Sequence, residues 1–461
     1  MSRLLLLSNG HGEDLSGALL GRQLLARGLT VEALPLVGHG HPYRQAGIPV
    51  ISRTHEFSTG GLGYTSLAGR LTELREGQYL DVVRRLLSLR GRRDRLIVAV
   101  GDLLPVLVAW LSRRPAAVYL VAYSSHYEGR LRLPWPCGWL LRRRRFRRVW
   151  SRDALTASDL SEQLGRPVEF LGNPFVDLVS ETGEPIPSGS AQTLAVLPGS
   201  RLPEALGNLE LMLGLLSRLP ARLQPPEALA LQAALVGDLD ASTLARLGAP
   251  LGWNLEQGRG PEDGNAALVL VRGAQRLQLH WGRFAAVLHG SDLVLSMTGT
   301  AAEQAVGLGK PVLQLEGPGP QFTAGFAEAQ RRLLGPGISC ASSLEARVTV
   351  GGGTARGHSA GTQPMPAVSV TRSTGSEGAA RLERSLPGIP ARGGVGSAEA
   401  LQAGAELADQ LLARLADPQQ GPSWRQQLAA IGAERIGGPG GSQRMAAAIM
   451  ELLNDRQLGA R

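Results

Sequence analysis

Residues 291–332 read SDLVLSMTGTAAEQAVGLGKPVLQLEGPGPQFTAGFAEAQRR, and this stretch decides the fold. The apolar run 292–296 is typical of a buried strand, and the small-residue turn 297–300 then opens a helix. A second strand, 312–315, leads through a loop rich in Gly and Pro to another helix near Ala324. Helices that begin at the carboxyl ends of parallel strands present unpaired backbone N–H groups, which suit a phosphate.

Glu303 falls in the first turn of the first of these helices. A carboxylate at that position can accept hydrogen bonds from two neighbouring hydroxyls, as a ribose offers. The alternative is that Glu303 only complements the helix dipole. The two successive turns favour a nucleotide.

The chain has 461 residues, which is enough for two or three domains, and an apolar content of 43% is that of a globular protein. A net charge of +9 favours anionic partners, namely nucleic acid, a nucleotide substrate or an anionic membrane surface. Aromatic residues make up only 4% and no basic–aromatic recognition pattern is visible, so we predict no nucleic-acid partner.

The two cysteines, Cys137 and Cys340, form neither a CxxC pair nor a metal pattern, which indicates a reducing compartment. The apolar run near the N-terminus is too short for the core of a signal peptide, and no run reaches the roughly 18 apolar residues that span a bilayer. We therefore expect a cytoplasmic protein that binds no metal.

The first half begins with a strand, 4–7, a Gly-rich loop, 8–14, and a helix from about Leu15, which is the start of a doubly wound α/β sheet. The loop is not a GxGxxG fingerprint, which disfavours a nicotinamide cofactor. It instead offers groups for proton transfer, and these are His11, Glu13 and Asp14. The alternative for His11 is that it only caps the loop.

A predicted strand, 96–100, ends in Gly101 and Asp102, so the carboxylate of Asp102 should point into the same crevice as the first loop. It is a candidate catalytic base or ligand of an acceptor hydroxyl. The alternative, an N-cap of the following helix, is compatible with both roles. Residues 38–69 are predicted to be loop-rich and 71–89 to be helical.

The segment 131–148 carries tryptophans beside six arginines that lie between Arg142 and Arg148. A solvated basic face is one explanation, and a surface that rests on anionic headgroups is the other. We predict that the segment brings the cleft to a membrane, through Trp135, Trp139, Arg142, Arg143, Arg144 and Arg145.

The second half restarts the alternation of strands and helices. Its first strand, 193–197, leads into Pro198–Gly199–Ser200–Arg201, a loop suited to a diphosphate. The predicted domains are 1–180 (acceptor and catalytic domain), 181–192 (linker), 193–341 (nucleotide-sugar domain), 342–397 (disordered insertion) and 398–461 (helices that complete the second domain and pack back on the first).

Two Rossmann-like domains that face a cleft, with a base on the first and a nucleotide on the second, describe the GT-B glycosyltransferase architecture. VLPGSR with Glu204 behind it resembles the LPGSR-xx-E motif of lipid-A-disaccharide synthases. FLGNPFVD (170–177) and GTAAE (299–303) resemble further motifs of that family, with Asn173 in place of a histidine. The pattern as a whole is most similar to the branch of proteins related to lipid-A-disaccharide synthase.

This resemblance implies an inverting transfer from a UDP-sugar to a lipid-linked hydroxyl, without metal or cofactor. Asp102 matches the proposed catalytic aspartate, and His11 resembles a histidine of the related peptidoglycan N-acetylglucosaminyltransferase. With Glu13, these are the predicted catalytic residues. The predicted nucleotide-sugar ligands are Gly199, Ser200, Arg201, Gly299, Thr300, Glu303, Gln321, Phe322 and Thr323.

The mechanism that follows is direct displacement at the anomeric carbon. Helix N-termini and Arg201 would stabilise the diphosphate that leaves, because no DxD-type metal motif appears. Two alternatives stay open. One is a nucleotide-sugar epimerase of the same architecture, and the other is a non-catalytic nucleotide-sugar-binding protein associated with a membrane. In each case the expected location is cytoplasmic and peripheral on the membrane's cytoplasmic face.

Overall fold

The computed structural model describes residues 3–37, 39–51, 94–180, 184–259, 266–317, 324–341 and 396–455. The first sheet is built from apolar runs, because strands covered on both faces by helices are apolar along their whole length. Its strands are all parallel, in the order β2-β1-β3-β4-β5-β6. They are β1 (Arg3–Ser8), β2 (Thr30–Pro35), β3 (Leu96–Gly101), β4 (Ala116–Leu120), β5 (Phe146–Ser151) and β6 (Glu169–Phe170).

The helices that accompany this sheet are α1 (His11–Ala26), α2 (His41–Gln45), α3 (Leu103–Leu111), α4 (Ser125–Glu128), α5 (Cys137–Leu141), α6 (Ala154–Leu164) and α7 (Pro174–Ser180). α1 starts four residues before the predicted Leu15, because Gly10 has an extended backbone and the helix follows at once. The predicted catalytic loop is therefore largely the first turn of a helix. α2 lies within a stretch predicted to be loop, while the helix predicted at 71–89 is outside the described residues.

The second sheet has the order β14-β13-β12-β7-β8-β11-β10-β9. It is parallel from β14 to β11, and β10 then pairs antiparallel with both β11 and β9 at the edge. Its strands are β7 (Gln192–Leu197), β8 (Leu229–Leu235), β9 (Asn254–Arg259), β10 (Ala266–Arg272), β11 (Gln275–Trp281), β12 (Leu293–Ser296), β13 (Val312–Gln314) and β14 (Ile338–Cys340). β7 begins at the last residue of the predicted linker.

The helices of the second half are α8 (Glu204–Leu216), α9 (Ala241–Gly248), α10 (Phe284–Gly290), α11 (Thr300–Gly307), α12 (Ala324–Leu334), α13 (Ala398–Ala416), α14 (Gln420–Arg435) and α15 (Gly441–Asn454). α13 packs on the second sheet through Leu401, Ala405 and Leu412. α15 instead packs on the first sheet, where Met445 and Ile449 join the core of β1 and β3. Of the predicted insertion, only residues 396–397 are described.

Each sheet has one position where the strand order reverses, so that the helices following the two adjacent strands lie on opposite faces. In doubly wound folds, ligands bind at the carboxyl ends of the strands at this position. In the first sheet this point lies between β1 and β3, and in the second between β7 and β12. The carboxyl ends of the two sheets face each other, since Arg152 after β5 contacts Glu303 in α11. The predicted α/β class, with two Rossmann-like halves, is confirmed.

Candidate active site

The first-domain side of the cleft is formed where β1 and β3 end. A Cβ atom added at Gly101 would lie 2.1 Å from Asn9 Oδ1, and Gly101 has a φ of +140°. The Asn9 amide therefore lies directly against a backbone that only glycine suits. The close approach places the residues after β1 beside Asp102.

Asp102 is the N-cap of α3, because its Oδ1 accepts a hydrogen bond from Leu104 N at 2.8 Å. Tyr123 supports the same turn, since its hydroxyl accepts from Leu103 N at 3.1 Å. Within the described ranges, Asp102 Oδ2 accepts no hydrogen bond, and the side chain is partly exposed. The capping role is thus present, and one oxygen is left for a substrate hydroxyl.

Glu13 folds back over the start of its own helix, as a Cβ at Gly10 would lie 2.4 Å from Glu13 Oε2. Burial raises the pKa of Glu13 above its ordinary value, and the charge of Asp102 raises it further. The backbone amide of Glu13 and the charge of Arg152 oppose that rise. The two carboxylates therefore share one crevice, and a carboxyl whose pKa is raised is better suited to exchange protons near neutral pH.

Asp14 does not serve this site. Its side chain is 2% exposed, and its Oδ1 accepts a hydrogen bond from Ser8 Oγ at 2.6 Å. Tyr43 in turn donates to Ser8 Oγ at 2.9 Å. The structure does not support the expectation that Asp14 offers a proton-transfer group, because its carboxylate is buried against Ser8. His11 is the first residue of α1, two positions before Glu13 in sequence.

The second-domain side consists of the loop after β7 and the turn after β12. Asn208 of α8 joins them, because its Nδ2 donates to Pro198 O at 2.8 Å and to Met297 O at 3.4 Å. Gly199 has a φ of +118°, and a Cβ there would be 3.8 Å from Thr298 Cγ2. The structure therefore brings the predicted diphosphate loop against the predicted helix start. The sequence interpretation missed Asn208, although a polar residue one turn into the helix behind the loop is a usable signal.

The backbone of this region presents donors to the cleft. Gly299 directly precedes α11, which begins at Thr300. It also lies near α12, since a Cβ atom added at Gly299 would be 3.8 Å from Gln330 Nε2. Ser200 and Arg201 are exposed beside them. A guanidinium and unpaired helix N–H groups are the kinds of donor that suit a diphosphate, so we call this region the candidate anion site. The remaining predicted donor ligands, Gln321, Phe322 and Thr323, lie outside the described residues.

Glu303 connects the two domains. Its Oε2 lies 2.8 Å from Arg152 Nη2 and accepts a hydrogen bond from Asn173 Nδ2 at 3.2 Å. Burial lowers the pKa of Arg152, but Glu303, Tyr127 and Tyr119 more than offset this effect, and the guanidinium stays charged. Arg152 belongs to no motif that the sequence shows, so its role could not be predicted. Asn173 stands out in FLGNPFVD only because it replaces a histidine of the related motif. That Glu303 accepts ribose hydroxyls stays a prediction.

The predicted membrane segment divides into a helix, a turn and a strand. Trp139 lies in α5, the turn 142–145 follows, and β5 then runs toward the cleft, so the turn lies at the opposite end of the sheet. Trp135 is 88% exposed and Trp139 47%. The Arg143 guanidinium lies 3.9 Å from the centre of the Trp139 ring, and Arg145 lies 4.4 Å from that of Trp110.

These tryptophans border a groove of about 800 Å³. Its basic lining comes from Arg130, Arg132 and Arg142. The structure thus brings the predicted membrane residues onto one surface, which we call the Trp–Arg surface and define as Trp135, Trp139 and Arg142–Arg145. The Trp–Arg surface does not border the cleft, so the segment does not itself form the cleft's rim. None of the described helices is long and apolar enough to cross a bilayer. No three potential metal ligands are grouped within the part of the chain that the structure describes.

Comparison with known proteins supports one family. No model of a protein family matches the chain. The lipid-A-disaccharide synthase of Alkalilimnicola ehrlichii is 30% identical over 327 residues, which is 68% of this chain and 75% of that protein.

Solved structures share the fold at low identity. A putative UDP-N-acetylglucosamine 2-epimerase from Listeria monocytogenes superposes with a TM-score of 0.52 at 14% identity, over 99% of this chain and 98% of that one. The calicheamicin glycosyltransferase CalG4 does so with a TM-score of 0.52 at 15% identity, over 98% of both chains. Together with the two facing sheets, these likenesses confirm the GT-B architecture. The chain belongs to the lipid-A-disaccharide synthase family of GT-B glycosyltransferases.

Proposed function

We propose that this glycosyltransferase moves a sugar, with inversion, from a UDP-sugar to the hydroxyl of a lipid-type acceptor. One observation carries the proposal. Two partly exposed carboxylates, Glu13 and Asp102, lie at the end of one sheet, and the candidate anion site, where Asn208 joins the loop after β7 to the turn after β12, lies at the facing end of the other. The name of the relative, lipid-A-disaccharide synthase, supports a sugar donor and a lipid acceptor.

The donor would lie on the second domain. Its diphosphate would contact the backbone of Gly199 and Ser200, the guanidinium of Arg201 and the start of α11. Its ribose would donate to Glu303, whose Oε2 is held while Oε1 accepts nothing from the described residues. The sugar is then directed at the first domain, where the acceptor hydroxyl approaches Asp102.

The reaction is a single displacement. A carboxylate of the first domain takes the proton of the acceptor hydroxyl, and the hydroxyl oxygen forms a bond to the anomeric carbon. The bond from that carbon to the diphosphate oxygen breaks on the opposite face, and UDP leaves with the electron pair. Arg201 and the helix N–H groups stabilise the negative charge that develops on UDP. The residues that can act as base are Asp102, Glu13 and His11, and no cofactor takes part.

The lipid acceptor makes membrane contact part of the same proposal. The Trp–Arg surface exposes aromatic rings beside stacked guanidinium groups, which suits the interface of an anionic bilayer. The protein would then be peripheral on the cytoplasmic face of a membrane. α3 spans nine residues between the cleft and Leu111, or roughly 13 Å at 1.5 Å per residue. The cleft would therefore lie above the bilayer surface rather than in it.

Thermal unfolding in the presence of nucleotides tests the donor. We expect UDP and one UDP-sugar to raise the midpoint, and GDP and ADP to leave it unchanged, because a ligand at 100 times its dissociation constant adds about 2.7 kcal/mol. The Glu303→Ala variant should lose this response. Glu210→Ala, which removes an exposed carboxylate from α8, is the matched control and should keep it. A folded wild-type protein that responds to no nucleotide would contradict the proposal.

Incubation with the UDP-sugar that binds then separates the remaining functions. A transferase consumes the sugar only when a lipid acceptor is present. Interconversion of the free UDP-sugar without acceptor would indicate an epimerase instead. Tight binding with no turnover, unaffected by Asp102→Ala, would indicate a non-catalytic protein.

A further inference from the structure

We propose that Arg152 and Asn173 are positioning residues of the donor site, which hold the Glu303 carboxylate from the opposite domain so that it selects a ribose. The inference rests on the proposed function and extends it, because it assigns a specificity role to residues outside the nucleotide domain. Both belong to the first half of the chain, whereas Glu303 lies in α11 of the second. The domain that would bind the acceptor thus fixes the position of Glu303, a residue proposed to bind the sugar donor.

The two oxygens of Glu303 have different surroundings. Oε2 accepts from Arg152 Nη2 at 2.8 Å and from Asn173 Nδ2 at 3.2 Å, which uses its lone pairs. Oε1 accepts no hydrogen bond from the residues that the structure describes. One oxygen is therefore fixed, and the other is left to accept from the 2′ hydroxyl of a ribose.

The two donors are themselves immobilised on the first domain. Arg152 is 8% exposed, and its Nη1 donates to Val121 O at 3.1 Å. Asn173 is 1% exposed, and its Oδ1 accepts from Phe175 N at 3.0 Å in the first turn of α7. Each side chain therefore contacts a backbone group of the first domain through one end and Glu303 through the other. The position of the carboxylate follows from the ends of β4, β5 and β6.

A purely structural ion pair is the competing explanation. Buried ion pairs are weak contributors to stability, since the cost of removing both charges from water offsets most of their attraction. The Arg152–Glu303 pair also lies beside the candidate anion site, at the cleft, where α7 packs against α11. A fixed carboxylate in that place favours a nucleotide that has both ribose hydroxyls, because a deoxy analogue leaves Oε1 unpaired.

Calorimetric titration with UDP and with 2′-deoxy-UDP tests the inference. We expect the wild-type protein to bind UDP about ten- to a hundredfold more tightly, as for a hydrogen bond to a charged group. Arg152→Gln should reduce this ratio to within about threefold of one, while the affinity for 2′-deoxy-UDP stays close to that of wild type. Asn173→Ser keeps an acceptor for Phe175 N but removes the donor to Glu303, and it should lower the ratio partially.

Three further variants make the outcome decisive. Glu303→Gln should lose the preference for ribose completely. Arg148→Gln, a change to a half-buried arginine of β5 that pairs with Glu169, is the control and should retain it. If Arg152→Gln does not fold, Arg152→Lys replaces it, because a lysine keeps the charge but cannot contact Val121 O and Glu303 together. A lowered ratio in that variant would still support the inference.

The failures of the two proposals are distinguishable. The positioning inference is overturned if the Arg152 and Asn173 variants keep the wild-type ratio of UDP affinity to 2′-deoxy-UDP affinity while Glu303→Gln loses it. In that case Glu303 binds the ribose without help from the first domain. If the wild-type protein binds neither nucleotide, the proposed donor itself is wrong and the inference falls with it.

Discussion

Glu13 and Asp102 show how two carboxyl groups acquire different properties within one crevice. Asp102 is tied to the start of α3 by the hydrogen bond from Leu104 N at 2.8 Å. Glu13 instead folds over its own helix start, where burial and the charge of Asp102 raise its pKa. Environments that differ in this way separate the roles of neighbouring carboxylates in active sites.

The first prediction at this scale concerns stability as a function of pH. A carboxyl whose pKa is higher in the folded than in the unfolded state binds protons more tightly when folded. The free energy of unfolding therefore falls as pH rises through the unfolded value of about 4.3 toward the folded value. Glu13→Gln removes this loss, so it should raise the free energy of unfolding relative to wild type at pH 7 but not at pH 4.

Denaturant unfolding of both proteins between these pH values measures the difference. Glu210→Gln, a change at an exposed position of α8, should give curves parallel to wild type at both pH values. A difference between Glu13→Gln and wild type that does not depend on pH would mean that the side chain acts through packing. Turnover is a separate readout, because loss of a catalytic base lowers the rate about 10²- to 10⁴-fold.

Residue positions at strand ends could be predicted from the sequence, whereas contacts between distant segments could not. Asp102 was identified because a polar residue directly follows an apolar run. Asp14 was misassigned, since the start of α1 at His11 turns it toward Ser8 rather than toward the cleft. Arg152 gave no signal, because its role depends on the meeting of β5 with α11 in three dimensions.

At the scale of elements, α7 and α15 explain the FLGNPFVD motif. Asp177 accepts hydrogen bonds from the backbone of Gly440 at 2.6 Å, of Gly441 at 3.1 Å and of Ser442 at 2.7 Å. The Ser442 hydroxyl donates to the same carboxylate. One aspartate of α7 thus accepts from three backbone N–H groups at the N-terminus of α15, while Asn173, four residues earlier in the motif, donates to Glu303.

Replacement of this cap should release α15. Asp177→Ala leaves several N–H groups buried without an acceptor, so we expect a loss of about 2–4 kcal/mol in the free energy of unfolding. Hydrogen exchange should become faster throughout α15. Asp177→Asn keeps one acceptor oxygen and should lose less.

Asp240→Ala is the matched control, since it removes the cap of α9 on an exposed surface. It should leave exchange in α15 unchanged. Equal protection of α15 in wild type and Asp177→Ala would show that the apolar face of the helix, with Met445 and Ile449, is sufficient to hold it.

Elements with continuous apolar runs were predictable, and those with mixed patterns were not. The strands β1, β3 and β12 follow from Leu- and Val-rich runs that are fully buried. β11 was missed, although Leu277 and Leu279 alternate with polar residues and are buried on one face. The strand lies where the parallel part of the sheet ends, since it pairs parallel with β8 and antiparallel with β10. Its alternating pattern differs from the continuous apolar runs of the strands at the parallel centre.

At the scale of the whole molecule, the Trp–Arg surface and the cleft lie at opposite ends of the first sheet. The cleft is at the carboxyl ends of the strands, and the surface is where β5 begins and α3 ends. A bilayer that binds this surface would not cover the donor site. Membrane binding and nucleotide binding should therefore be separable by mutation.

Co-sedimentation with phosphatidylglycerol vesicles tests this separation. A smaller fraction of the double variant Trp135→Ala, Trp139→Ala should sediment with the vesicles, while UDP should raise its unfolding midpoint as it does for the wild-type protein. Leu155→Ala, with a side chain as exposed as Trp139 at 47%, is the control on α6. Binding of the wild-type protein should weaken as salt is added, because the arginine contacts are screened. Equal binding of wild type and double variant would refute a membrane role for the surface.

The position of α15 in the chain also has a consequence for biosynthesis. β6, the last strand of the first sheet, ends at Phe170, but the helix that covers β1 and β3 begins only at Gly441. A ribosome that adds 5–20 residues per second needs roughly 10 to 60 seconds between the two. During that interval the nascent first domain exposes the apolar face that Met445 and Ile449 later cover. We expect chaperones that bind exposed apolar surface to contact the nascent chain at that face.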